Sequence, residues 1–245
     1  MTTPPTFTER AASLEKTLAT KPLIRAVNFH NASRAESATY ERQLARYSHS
    51  FSSVNEAELD HYLKTGQWHK SKPGLIVSVF EGYRNGFDVL APVIEKYGFV
   101  GWFFIITGFL NSPIKDQLTF AGAHRIHMQT REYPDGRYAM TWDEVRQLSA
   151  KHVIASHARS HTQLSTLDPA TAEREEVGSQ EDFQKELGHK VRAFVSLTGP
   201  AYGENPASDR LVETAGYDLI FSNFSIQRLN PLTQSPAKDK HNLSR

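Results

Sequence analysis

Apolar positions along the chain follow two periods that take turns. The stretch PLIRAVNFHN reads as a strand entering a loop, because β-branched and apolar residues give way to Asn28, His30 and Asn31. From Ala35 to Gly66, Tyr40, Leu44 and Tyr47 and then Phe51, Leu59 and Leu63 recur at helical spacing with charges between them, which predicts two helices. KPGLIVSVFEG is a buried strand bounded by Pro73-Gly74 and Gly82, and FDVLAPVIEKYG is a helix that stops at Gly98. VGWFFIITG is the next buried strand. Residues 111–140 hold proline, glycine and charge around a short Leu118–His127 segment and read as an inserted rim loop. WDEVRQLSAKH is an amphipathic helix starting near Thr141, and VIASHARSH is a strand running into a histidine-bearing loop. A charged helix over Asp168–Gly188, a strand in VRAFVSLTG, a helix in ASDRLVETAGY closed by Gly216 and a strand in DLIFSNF complete the series.

Strand and helix thus alternate through most of the chain, which predicts an α/β fold with a parallel sheet and helical crossovers, doubly wound or closed as a barrel. No internal repeat interrupts the pattern. Residues 1–22 are expected to be a polar lead-in, 23–230 one domain whose N-terminal strand and helices occupy 23–72, and 231–245 a proline-punctuated extension.

Composition narrows the function classes. The 28 Lys and Arg against 27 Asp and Glu leave a net charge of +1 over 245 residues, so neutralising phosphates is not the main task and no nucleic-acid partner is expected. Cysteine is absent, which excludes disulfides and thiolate metal sites, while eleven histidines allow a metal held by imidazole and carboxylate. The longest apolar run, Gly98 to Leu110, is too short to span a bilayer, and the first residues lack a secretory pattern. No membrane partner is expected, and the default location is the cytoplasm.

The strongest local signal is SHARSH, Ser156 to His161. His157 and His161 stand at i, i+4 and share a face if that turn is helical, close enough for one ion. Surface histidines also meet this spacing by chance, so a carboxylate partner is needed. Glu81 offers one just past a buried strand, where ligands gather in parallel α/β folds. Two histidines and a carboxylate form an open site for zinc or another divalent ion. His30 also follows an apolar strand. It reads either as a proton donor beside a metal or as a hydrogen-bonded loop histidine at a sheet edge.

Three stretches in order, LIVSVFEGYRNGFDVLAPVIEKYGFVGWFFIITGFL, WDEVRQLSAKHVIASHARSHTQLSTL and VRAFVSLTGPAYGENPASDRLVETAGYDLIFS, resemble the polysaccharide deacetylases of the NodB-homology type, carbohydrate esterase family four. The resemblance covers roughly residues 73 to 224. It implies a distorted (β/α) barrel of about seven strands and metal-assisted hydrolysis of an acetamido group on a sugar. The family's first motif resembles T-F-D-D-G-Y, and its places here are Ser78, Val79, Phe80, Glu81, Gly82 and Tyr83. Phe80 therefore stands where the family has its general base, and Glu81 stands for a metal ligand. His157 and His161 match the histidines of the second motif. Pro200 and Tyr202 partly match the third, where a backbone N–H near the tyrosine helps bind the oxyanion, so both are expected at the substrate. The arginine that orients the base has no counterpart nearer than Arg192. The late strand ending in an acid histidine is missing after residue 224. In a permuted branch, the poly-N-acetylglucosamine deacetylases, that strand lies at the N-terminus, and PLIRAVNFHN resembles it with His30 as the acid.

The resemblance implies a hydrolase acting on the carbon–nitrogen bond of acetylated sugars or a related small-molecule substrate, using a divalent metal such as zinc. A phenyl ring cannot take a proton from water, so activity is expected to be weak. Two other readings stand beside it: a sugar-binding module that has lost turnover, and a small-molecule amidohydrolase like the allantoinase relatives, which carry Glu-Gly in the first motif. The histidine pair speaks against the last. Trp68 is open to both sugar stacking and packing roles, whereas Trp102, Phe103 and Phe104 read as core.

Overall fold

The structure is a computed structural model that describes residues 6, 23–162, 168–197, 202–204, 206–223 and 225–229. Its strands are β1 (Ile24–Phe29), β2 (Ser52–Ser53), β3 (Gly74–Glu81), β4 (Gly101–Ile105), β5 (Val153–Ser156), β6 (Ala193–Val195), β7 (Leu219–Phe221) and β8 (Ile226–Arg228). They form one sheet in the order β1-β3-β4-β5-β6-β7-β8, with β2 pairing against the start of β3. Every pairing is parallel except β7 with β8. The helices are α1 (Ser37–Ser50), α2 (Glu56–Thr65), α3 (Ala91–Lys96), α4 (Thr107–Asn111), α5 (Gln117–Ala123), α6 (Trp142–Ser149), α7 (Pro169–Leu187) and α8 (Pro206–Ala215).

All eight residues of β3 are buried, so the run reads as continuous apolar sequence rather than an alternating one. The two faces still separate by period. Leu75, Val77 and Val79 join Phe103, Ile105, Ile154, Phe194 and Ile220 under the helices. Ile76 and Phe80 join Trp102, Phe104, Ala155, Ala193, Val195, Leu219 and Phe221 in the concave interior. Val54, Leu59 and Trp68, with Tyr62 and Leu63 beside them, pack into the same interior cluster. They close it at the strands' N-terminal ends, where a Cβ on Gly74 would lie 2.7 Å from Val54 Cγ2. Trp68 is therefore a packing residue, its indole N–H donating to the Lys72 carbonyl.

One cavity is lined from both β1 and β8, so the sheet curls until its two edge strands face each other. Among the described residues they do not pair, which makes the predicted barrel a half-barrel, open on one side. The structure also adds elements that periodicity does not predict. Helix α4 begins within the apolar run after β4, five π-helical residues (Gly86–Leu90) precede α3, and β8 turns back against β7. Local capping matches the sequence: Thr141 and Glu144 form a reciprocal capping box on α6, while Asp168 caps α7 and Gly188 ends it in the left-handed region. No helix among the described residues is long and apolar enough to cross a membrane. Apart from Thr6, the lead-in at 1–22 lies outside the described residues, as does the extension at 231–245.

Candidate metal centre

Parallel strands end on one rim, and β3 and β5 flank β4, so the residues that close them arrive on the same rim with only β4 between them. Glu81 ends β3, His157 follows β5, and His161 closes the next turn. All three are buried, and one donor atom from each lies within 4.8 Å of the others. Glu81 has φ 66° and Gly82 φ 83°, two successive left-handed residues that bend the chain off the strand end. For the glutamate this costs about 1–2 kcal/mol.

The turn carrying the histidines is not helical, contrary to the i, i+4 expectation. Ala158 and His161 both lie in the left-handed region, at φ 62° and 54°, and the imidazoles meet across an irregular turn with ring centroids 4.8 Å apart. Each ring is oriented by a backbone carbonyl. His157 Nδ1 is 2.9 Å from the Val195 oxygen, and His161 Nδ1 is 2.9 Å from the His124 oxygen. A carbonyl only accepts, so each Nδ1 carries the proton and each Nε2 keeps its lone pair for a ligand. Burial pushes the His157 imidazole down to about 4, which keeps it neutral near pH 7. Two imidazole nitrogens and one carboxylate suit zinc or another borderline divalent ion, and the residues fit that group.

His30 arrives from the neighbouring strand. The β1–β3 register pairs Phe29 with Val79, which brings His30 over the end of β3. Its Nδ1 donates to Glu81, 2.8 Å from Oε1 and 3.0 Å from Oε2, and that hydrogen bond raises its pKa above the ordinary histidine value. The His30 side chain is 58% exposed while that of Glu81 is 6% exposed, so the histidine faces the opening and the carboxylate lies behind it. Phe80 lies against both His30 and Phe104 in a stack. These residues line a cavity of about 520 Å³ that continues past Asn28 and Ser78 toward Phe221 and Asn223.

Among the described residues, Tyr202 and Arg192 do not line that cavity. Tyr202 is half-buried against the core and its hydroxyl donates to Glu213 of α8, so its side chain is engaged away from the cavity lining. Pro200 lies outside the described residues. Arg192 is paired with Asp218 at 2.7 Å and Asp60 at 3.1 Å, and it does not line this cavity.

Several supporting residues escape sequence reading. Asn85 is buried and donates to Asn31 Oδ1 (2.6 Å) and Glu132 Oε2 (3.0 Å). Asn31 and the Tyr83 hydroxyl both donate to the His127 carbonyl. The rim segment therefore ties the His30 loop to the turn of His161, and it does so largely through backbone carbonyls. A side-chain motif carries no signal for that.

A family model described as "Polysaccharide deacetylase" matches residues 70–220. Among solved structures, the Streptococcus pyogenes deacetylase PplD in complex with acetate aligns with a TM-score of 0.65 at 15% identity, covering 86% of this chain and 95% of that one. IcaB from Ammonifex degensii aligns at 0.57 with 18% identity, over 82% of this chain and 84% of that one. At such identities the likeness speaks for the fold. A gellan lyase from Bacillus sp is 26% identical over 160 residues, and the match covers 60% of this chain but 6% of that curated relative.

Proposed function

The chain belongs to the polysaccharide deacetylase family, and from there we propose that it is a carbon–nitrogen hydrolase that removes acetyl groups from N-acetylated sugars with one divalent ion, zinc foremost. The observation that carries this reading is the convergence of Glu81, His157 and His161. Those three would hold the ion. When bound, it supplies Lewis-acid polarisation of the amide carbonyl and acidification of a water.

The chain's own residues do the rest. His30, held at Nδ1 by Glu81, keeps Nε2 free to give a proton to the departing amine. Phe80 occupies the place of the family's base and takes no proton from water. His30 would then accept the water's proton as well as donate one to the departing amine. Losing a dedicated base costs on the order of 10²- to 10⁴-fold in rate, so turnover is expected to be low. A second reading, a sugar-binding module without turnover, is favoured by one observation: the Phe80 ring is packed between His30 and Phe104 as a built apolar contact. An allantoinase-like small-molecule hydrolase accounts for Glu81-Gly82 but gives the histidine pair no task.

Elemental analysis of the purified protein, together with acetate release from chitooligosaccharides, tests the proposal. Stoichiometric metal with slow release that chelation abolishes is the expected result. Metal without any release favours the binding module, and no metal overturns both.

A further inference from the structure

The two histidines of the centre are anchored differently. His157 follows β5 directly, its N–H donating to Ile105 at 2.9 Å and its ring to Val195, so the sheet sets its place. His161 sits four residues further along an irregular turn, beyond one left-handed residue and itself left-handed. Something other than the sheet must hold it. The residue before it, Ser160, gives both its donors to one side chain. Its N–H lies 2.7 Å from Glu175 Oε2, and its hydroxyl donates to Glu175 Oε1. Glu175 is 6% exposed, stands on the long helix α7 and does not line the cavity.

We propose that Glu175 is a positioning residue that fixes His161 within the metal-binding set; this rests on the metal reading above. Non-glycine residues are disfavoured in the left-handed region, and a carboxylate that takes both donors of Ser160 offsets that cost at the point where the turn must end. The same helix secures the turn's middle. Asp182 accepts from the Arg159 guanidinium at 2.9 Å and from the Thr107 hydroxyl at 2.6 Å. Helix α7 thus reads as a polar strut, and Glu175 is its contact nearest to a ligand.

The test uses the full chain freed of metal by chelation and titrated with Co²⁺, whose visible absorption reports the ligand geometry directly. In Glu175→Met both hydrogen bonds to Ser160 are lost. The expected result is a Kd for Co²⁺ raised about 10- to 100-fold with an altered absorption band. In Glu175→Gln the amide oxygen still accepts the Ser160 N–H and the amide nitrogen donates to its hydroxyl, so affinity and band are expected within about threefold of wild type. Unchanged Co²⁺ binding in Glu175→Met overturns the role. If that variant does not fold, Ser160→Ala decides, with an expected rise of about 3- to 10-fold and wild-type affinity as the refuting result. Wild-type protein that takes up no Co²⁺ overturns the metal reading itself, and the positioning role with it.

Discussion

The imidazole of His30 and the phenyl ring of Phe80 are stacked, their centroids 5.0 Å apart and their planes 21° from parallel. Phe80 in turn stacks on Phe104 at 5.0 Å and meets His157 edge-on at 5.2 Å. The ring therefore lies between the imidazoles of His30 and His157, while His30 still reaches Glu81 directly. Phe80→Asp is expected to raise acetate release about 10- to 100-fold, short of a full base effect because no arginine orients the new carboxylate. It is also expected to destabilise the fold by about 3–5 kcal/mol, since an 8%-exposed phenyl group is removed. Acetate assays and urea unfolding on the same preparation read both effects. Brisk wild-type turnover that the variant does not improve means that another residue is the base.

His30→Gln separates proton transfer from metal binding. The glutamine amide can still donate to Glu81, but it neither gains nor loses a proton at the working pH. Acetate release is expected to fall by about 100-fold or more with metal content unchanged. The histidine side chain is 58% exposed, so stability should change little. A parallel loss of metal would instead make His30 a ligand.

Much of this architecture is legible in the sequence, for physical reasons that differ by element. Buried parallel strands such as β3 announce themselves as unbroken apolar runs, and caps such as Thr141 and Asp168 mark helix starts by their own hydrogen bonds. The run from Gly98 to Leu110 hides a boundary, because strand residues such as Phe104 and helix residues such as Phe109 are equally buried. The His157–His161 turn hides its geometry, since neither Ala158 nor His161 is a glycine that would signal left-handed backbone. Glu175 is invisible for another reason. On a charged helix it reads as a solvated face, and only tertiary packing turns it toward Ser160.

Two glycine substitutions beside the metal turn should differ sharply. A Cβ on Gly108 would lie 2.4 Å from the Arg159 carbonyl oxygen, the same atom that accepts the Gly108 N–H at 2.8 Å. Backbone meets side chain there, and neither can yield without moving the turn. Gly108→Ala is expected to cost about 1–3 kcal/mol and to weaken metal binding together with it. On Gly178 the nearest atom is Arg159 Nη1 at 2.6 Å, the end of a flexible and partly exposed side chain. Gly178→Ala should stay within about 1 kcal/mol of wild type, because the gain in helix propensity offsets the displaced guanidinium. Equal behaviour of the two in urea unfolding would mean that α4 does not pin the turn.

Burial of Glu176 is expected to give the fold a pH dependence of its own. It lies on α7 with no exposure; Oε1 accepts from the Ser208 hydroxyl at 2.6 Å, and Oε2 is buried without a partner among the described residues. Burial pushes its carboxyl up to about 8 from 4.5. Between those two values the folded chain keeps a proton that the unfolded chain releases, so the folded state binds more protons and stability falls as pH rises through that window. Below about 4 and above about 8 this group contributes no slope. Glu176→Gln removes the ionisation and retains an acceptor for Ser208. It is expected to flatten the decline in unfolding free energy between pH 5 and pH 8 and to add about 1–3 kcal/mol at the upper end, where the wild-type carboxylate is forced to ionise in a buried site. Urea unfolding of both proteins at pH 5, 6.5 and 8 measures the difference, and histidines common to both cancel from it. If the wild-type decline persists undiminished in Glu176→Gln, the pH dependence belongs to another group, and the buried carboxyl is held by a contact that leaves its ionisation unperturbed.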